Sequence, residues 1–146
     1  MKNSLKLILL NETAIIPTYA HETDAGMDLY ANEDYDLSPN EHHLIGTGIA
    51  IDIPVNYEIQ IRPRSGLAYK NGITVLNSPG TIDSGYRNEI KVNLVNHSPY
   101  IYSIKKGDRI AQMVYAPVYH IDSFELVTSF EGETERNLNG YGSSGK

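Results

Sequence analysis

Apolar and polar residues alternate at every second position through most of this chain. No stretch of a dozen residues keeps the i, i+3, i+4, i+7 spacing of an amphipathic helix. A period of two puts successive side chains on opposite faces of a strand, so each such stretch offers one face to a core and the other to water. Ile49, Ile51 and Ile53 lie opposite Ala50 and Asp52. Tyr57, Ile59 and Ile61 alternate with Glu58, Gln60 and Arg62, and Ile90, Val92 and Leu94 with Glu89, Lys91 and Asn93. Further strands are expected over Met27 to Ala31, Val114 to Val118 and Phe124 to Val127, and the apolar run within Met1 to Leu10 reads as a first strand. Turn-forming groups separate them: Ser38-Pro39-Asn40, Pro54-Val55-Asn56, Lys70-Asn71-Gly72, Ser78-Pro79-Gly80, Ser98-Pro99 and Lys106-Gly107-Asp108. Many short strands at this spacing imply an all-β sandwich or jelly roll, with one helical turn or two near Ser65 to Tyr69.

At 146 residues the chain has the size of one domain. The β pattern fills residues 1–130. Residues 131–146 hold four glycines, three Glu and Leu138 as the lone aliphatic residue. Such a stretch cannot bury enough surface to hold itself in place, and is expected to be a disordered arm unless something orders it. With no cysteine, disulfides, thiol nucleophiles and cysteine zinc sites are excluded. A net charge of −6 argues against a broad nucleic-acid footprint, so an anionic ligand would need local help from arginine, backbone N–H groups or a cation. The N-terminal apolar run is too short to span a membrane and lacks a small-residue cleavage site, which leaves the cytoplasm as the expected compartment.

Five polar clusters interrupt the pattern. Asp28, in Ala25-Gly26-Met27-Asp28-Leu29, taken alone reads as a solvated strand carboxylate. Arg62-Pro63-Arg64-Ser65-Gly66 opens the short helix with a hydroxyl and backbone N–H groups that suit an anion, or simply with Ser65 as an N-cap. Asp83, within Gly80-Thr81-Ile82-Asp83-Ser84-Gly85-Tyr86-Arg87, alone reads as a turn former. Gln112 falls, by period two, on the face of Ile110 and Val114, where its amide needs a partner. The last cluster, Arg136-Asn137-Leu138-Asn139-Gly140-Tyr141-Gly142, combines a guanidinium, a ring and glycines, the parts a closing lid over a nucleotide would use.

In this order and spacing, from Ala25 to Gly145, the five clusters resemble the five motifs of the trimeric deoxyuridine triphosphatase (dUTPase) family. The resemblance implies a jelly-roll-like β-clip and a homotrimer with sites at its subunit interfaces. It also implies Mg2+-assisted hydrolysis of dUTP to dUMP and diphosphate, which limits uracil in DNA and supplies dUMP for dTMP synthesis. Asp83 would activate the attacking water. Tyr86 would lie beneath the deoxyribose and leave no room for a 2′-hydroxyl. Asn77 and a tight hairpin around Thr81 and Ile82 would read uracil, with Lys91 lining the same pocket; thymine would clash through its methyl group and cytosine would leave polar groups unpaired. Arg64, Ser65 and Gly66 would cradle the phosphates from a neighbouring subunit, Gln112 would reach the phosphate chain, and Asp28 would face the metal through water. Arg136 and Tyr141 would close over the γ-phosphate and the base.

The sequence departs from the family pattern at Tyr141, where a Phe is usual, and at Asn88 and Asn137, where Gly is usual. If position 88 needs a positive φ, Asn is the next-best residue. Two other readings stand beside this one. A dCTP deaminase shares the fold, but would need a glutamate in the pocket, for which only Glu89 is near. A non-catalytic trimeric jelly roll would have kept the shape and lost the activity. Neither nucleic acid nor membrane is an expected partner, and the five histidines read as surface or strand residues.

Overall fold

The alternating stretches become strands, and the computed structural model, which describes residues 4–134, joins them into four small sheets. In chain order the strands are β1 (Lys6–Leu9), β2 (Met27–Tyr30), β3 (Tyr35–Leu37), β4 (His42–Gly46), β5 (Ile49–Asp52), β6 (Tyr57–Arg62), β7 (Ile73–Val75), β8 (Gly80–Ile82), β9 (Lys91–Asn96), β10 (Tyr102–Ile104) and β11 (Arg109–Pro117). The one helix among the described residues, α1 (Ser65–Asn71), lies between β6 and β7 and ends where Gly72 turns left-handed at φ 67°. The sheets run β2-β11-β6-β8, β4-β9-β7, β1-β5 and β3-β10, each pairing antiparallel.

The expected inward faces close on one core. Ile49, Ile59, Val92 and Leu94 are fully buried, Ile51, Ile53, Ile61 and Ile90 nearly so, and all belong to a single cluster with Leu29, Leu37, Ile45, Ile73 and Ile104. Each fully buried aliphatic side chain stabilises the fold by about 2 kcal/mol. Two of the expected turns use left-handed asparagines, Asn40 at φ 60° and Asn56 at φ 68°.

The structure departs from the sequence reading in four places. No strand forms at Phe124 to Val127; Phe124 is 82% and Leu126 97% exposed, and no described strand pairs with them. The strand expected from Val114 instead begins at Arg109, and a β-bulge between Arg109 and Ala111 buries both Ile110 and Ala111. The bulge shifts the alternation, so Gln112 does not share an apolar row. It pairs across the sheet with Asp28 on one side and Arg62 on the other. The tight hairpin expected around Thr81 and Ile82 is a change of sheet: β7 pairs with β9, β8 with β6, and residues 76–79 carry the chain across.

Candidate active site in two parts

The first part is a polar cleft of ≈ 320 Å³ at the β2 edge of the four-stranded sheet, lined by Asp28, Arg64, Ser65, Gly66, Arg109 and Gln112 among others. Asp28 is its hub. The Arg64 guanidinium donates through Nε to one carboxylate oxygen at 3.0 Å, and Arg109 reaches the other at 3.4 Å. A second Arg64 nitrogen donates to the Arg109 carbonyl at 3.2 Å. Asp24 also lines the cleft, so its two arginines stand against two carboxylates, and the Asp28 side chain is only 14% exposed. Screening is therefore weak and Arg64 is held in one direction.

Gln112 donates its amide N–H to the Pro63 carbonyl at 3.0 Å, which supplies the partner its sequence position required. Its amide oxygen lies so near Gly26 that a Cβ there would stand 2.4 Å away, so the glycine is a condition for the glutamine's pose. Arg64 itself occupies the N-cap of α1, and no side chain caps the helix there. Ser65, exposed in the first turn, thus keeps its hydroxyl free of the capping role the sequence allowed. Gly66 has open space where a Cβ would sit, so an incoming group can approach its backbone closely.

The second part lies at the opposite edge of the same sheet. Thr81 and Ile82 on β8 face Gln60 and Ile59 of β6. Asp83 follows in an exposed turn closed by the Tyr86 N–H on the Asp83 carbonyl at 3.2 Å, with Gly85 left-handed at φ 88°. The Tyr86 ring is 44% exposed, and its hydroxyl donates to the Glu89 carbonyl at 2.9 Å. Asn77 sits in the sheet-changing segment with its amide against Gly80, and Lys91 opens β9 with its ammonium 3.6 Å from Glu89. Asn88 is not among the left-handed residues; its side chain accepts the Glu89 N–H at 2.8 Å, so asparagine replaces glycine here without strain.

The structure brings Asp28, Arg64, Ser65, Gly66 and Gln112 together, and separately Asn77, Thr81, Ile82, Asp83, Tyr86 and Lys91. It does not join the two sets. None of the second set lines the cleft, and strand geometry puts Asp83 roughly 15 Å from Gln112. Arg136 and Tyr141, with Asn137, fall outside the described residues. Arg109 and Asp24 are charged cleft residues that the sequence reading missed. The Asp28 partner of Arg109 lies 81 positions away, and Arg109 sits at the bulge. Glu89, the glutamate a deaminase would need, directs its carboxylate to the Gly48 N–H at 2.9 Å and to Lys91.

Both Asp28 oxygens face arginines, and no group of three His, Cys, Asp or Glu suited to a metal occurs among the described residues. One carboxylate cannot cage a divalent ion. It does suit Mg2+ that keeps its own waters and takes most of its ligands from a phosphate chain. No described helix is long and apolar enough to cross a membrane.

The chain is thus an antiparallel β protein with a polar, arginine- and aspartate-lined cleft on one edge of a sheet and an exposed Asp-Tyr turn on the other. A family model for dUTPase matches residues 12–145. Relatives include the deoxyuridine 5′-triphosphate nucleotidohydrolase of Clostridium tetani, 52% identical over 98% of this chain and 97% of its own. The enzyme of the same name from Nautilia profundicola is 54% identical over 97% and 99%. A solved dUTPase of Staphylococcus bacteriophage 80alpha, with dUPNHPP, superposes at a TM-score of 0.89 with 31% identity over 99% of this chain and all of that one. Another, from phage phi11 of S. aureus and described as coordinating a structural Mg(II) ion, gives 0.80 with 29% identity over 89% and 100%. The chain belongs to the dUTPase family.

Proposed function

We propose that this chain hydrolyses dUTP to dUMP and diphosphate in the cytoplasm, as a homotrimer whose sites form between subunits. One observation carries the assembly: the phosphate-binding groups and Asp83 stand at opposite edges of one sheet, too far apart within a chain to serve one phosphate group. A neighbour's cleft facing this chain's Asp83 turn resolves the separation, and a closed ring of identical contacts repeats it three times.

In such a site Arg64, Ser65, Gly66 and Gln112 hold the phosphate chain, and Asp83 takes a proton from the water that attacks the α-phosphorus. The bond from that phosphorus to the bridging oxygen breaks, and diphosphate leaves. Asn77 and the backbone around Thr81 and Ile82 read uracil, Lys91 lines the same pocket, and the Tyr86 ring excludes a 2′-hydroxyl. Mg2+, met by Asp28 through water, neutralises charge on the phosphates when bound. Residues 131–146 close the site, with Tyr141 over the base and Arg136 at the γ-phosphate.

The test is diphosphate release from dUTP, UTP, dTTP and dCTP with and without Mg2+, with ammonia release measured on dCTP. Turnover of dUTP alone, and only with the metal, is expected. Equal turnover of UTP would remove Tyr86 from its role, and ammonia from dCTP would replace the reaction.

A further inference from the structure

Glu89 stands where the exposed 83–88 turn enters the core, and it is held from every direction the chain offers. Its carboxylate accepts the Gly48 N–H at 2.9 Å through one oxygen, and its other oxygen lies 3.6 Å from the Lys91 ammonium. Its N–H donates to the Asn88 side chain, and its carbonyl accepts the Tyr86 hydroxyl at 2.9 Å. The next residue, Ile90, is 1% exposed and hydrogen-bonds Ile49 through its N–H, while its carbonyl accepts the hydroxyl of the buried Thr47.

The turn that receives the carboxylate is built for it. Gly46 and Gly48 flank Thr47, and their two N–H groups are each taken by a carboxylate, Glu33 at 2.7 Å on Gly46 and Glu89 on Gly48. A Cβ on Gly46 would stand 2.7 Å from the Glu89 carboxylate. The loop outside is held more loosely, by the exposed Arg87 on Asp52 at 3.0 Å and the Tyr86 N–H on the Asp83 carbonyl, and a Cβ on the left-handed Gly85 would meet nothing within 4 Å. The Tyr86 ring is thus tied by its hydroxyl to the Glu89–Ile90 peptide, which is held by the Ile90 N–H on Ile49 and, through the Glu89 carboxylate, by the Gly46–Gly48 turn.

We propose that Glu89 is a positioning residue for sugar selection: its carboxylate, seated on Gly48, fixes the height of the Tyr86 ring and the direction of Lys91 together. The inference rests on the reading that Tyr86 packs beneath the sugar. Substrate never touches Glu89. A charge-assisted hydrogen bond to a partly buried N–H is strong enough that its loss lets the ring settle at several heights, and a ribose is then admitted.

The experiment measures kcat and KM for dUTP and UTP in four variants of the full chain, each with its melting temperature. E89A is expected to raise KM for dUTP and narrow the preference for dUTP over UTP by about tenfold, with kcat changed far less. E89Q keeps an oxygen for Gly48 and is expected to retain most of the preference, losing only the ion pair to Lys91. G46A drives the carboxylate from its seat without altering Glu89, and is expected to narrow the preference in the same sense. Y86A reports on the underlying reading. If Y86A abolishes the preference while E89A and G46A leave it intact, the role given to Glu89 is wrong. If Y86A leaves the preference intact, the placement of Tyr86 is wrong instead. An E89A protein with a lower melting temperature and unchanged preference would make Glu89 merely structural, and should E89A fail to fold, G46A decides.

Discussion

The cleft and the Asp83 turn share one sheet and are built in contrary ways. Asp28, Arg64, Arg109 and Gln112 hold one another and the backbone, and the cleft they line keeps its shape from contacts within the chain. Asp83, Ser84 and Gly85 are exposed, and the Tyr86 ring meets the chain through its hydroxyl on one carbonyl. The contrast teaches which half is prefabricated. The proposed phosphate side is rigid in advance, as electrostatic binding requires, whereas the carboxylate proposed to react is presented outward.

The sharpest way to break this comparison is at Asp83. Asp83→Asn keeps the shape and removes the base, so kcat should fall by about a thousandfold while calorimetry still detects a non-hydrolysable dUTP analogue. Loss of binding together with rate would make the turn a binding element and not the catalytic one. Next in size is complementation. Asp83→Asn and Arg64→Ala chains, each nearly inactive alone, should on co-refolding in equal amounts recover about a quarter of wild-type activity, the share of sites pairing two intact halves. No recovery would put both halves of each site in one chain.

A smaller effect tests the rigidity of the cleft. Gly26→Ala pushes Gln112 off the Pro63 carbonyl, and KM for dUTP should rise about threefold with a smaller change in kcat. An unchanged KM would mean that the glutamine is free to adapt. The smallest lies away from both halves and serves as their control. The Tyr35 hydroxyl and the Ser38 N–H hold the Glu41 carboxyl below its ordinary value of 4.5. A depressed folded value gives stability that is present above the ordinary carboxylate range and lost as pH falls through the lowered one. Urea midpoints of Glu41→Gln should therefore show a slightly flatter decline than wild type between pH 5 and about 3. Turnover at neutral pH should not change.

Much of this contrast was legible in the residues. Ile59 and Val92 announce buried faces because alternation reports burial directly, and four of the five clusters name side chains of the two halves. The rest depends on backbone events without a sequence signature. Nothing in Ile110-Ala111-Gln112 declares a bulge, so Gln112 was read onto the apolar face although it belongs to a polar row with Asp28 and Arg62. The change of sheet between Val75 and Gly80 looks like a hairpin in sequence, because both are two short strands around turn residues. Phe124 to Val127 alternates like a strand, but a strand exists only where an edge receives it, and edges are a property of the whole assembly.

The irregularity at Arg109 to Ala111 acts on the parity of everything that follows it. One supernumerary residue lets two neighbours face inward in succession, and from there on odd positions such as Met113 point to the interior and even ones such as Gln112 to the ligand side. Laid out as a regular strand without that extra residue being absorbed, the same sequence would exchange the two sets, swinging a thioether into the polar hollow and a carboxamide into the oil. A substitution scan would leave this dependence unseen, because it resides in the count of residues and not in their chemistry.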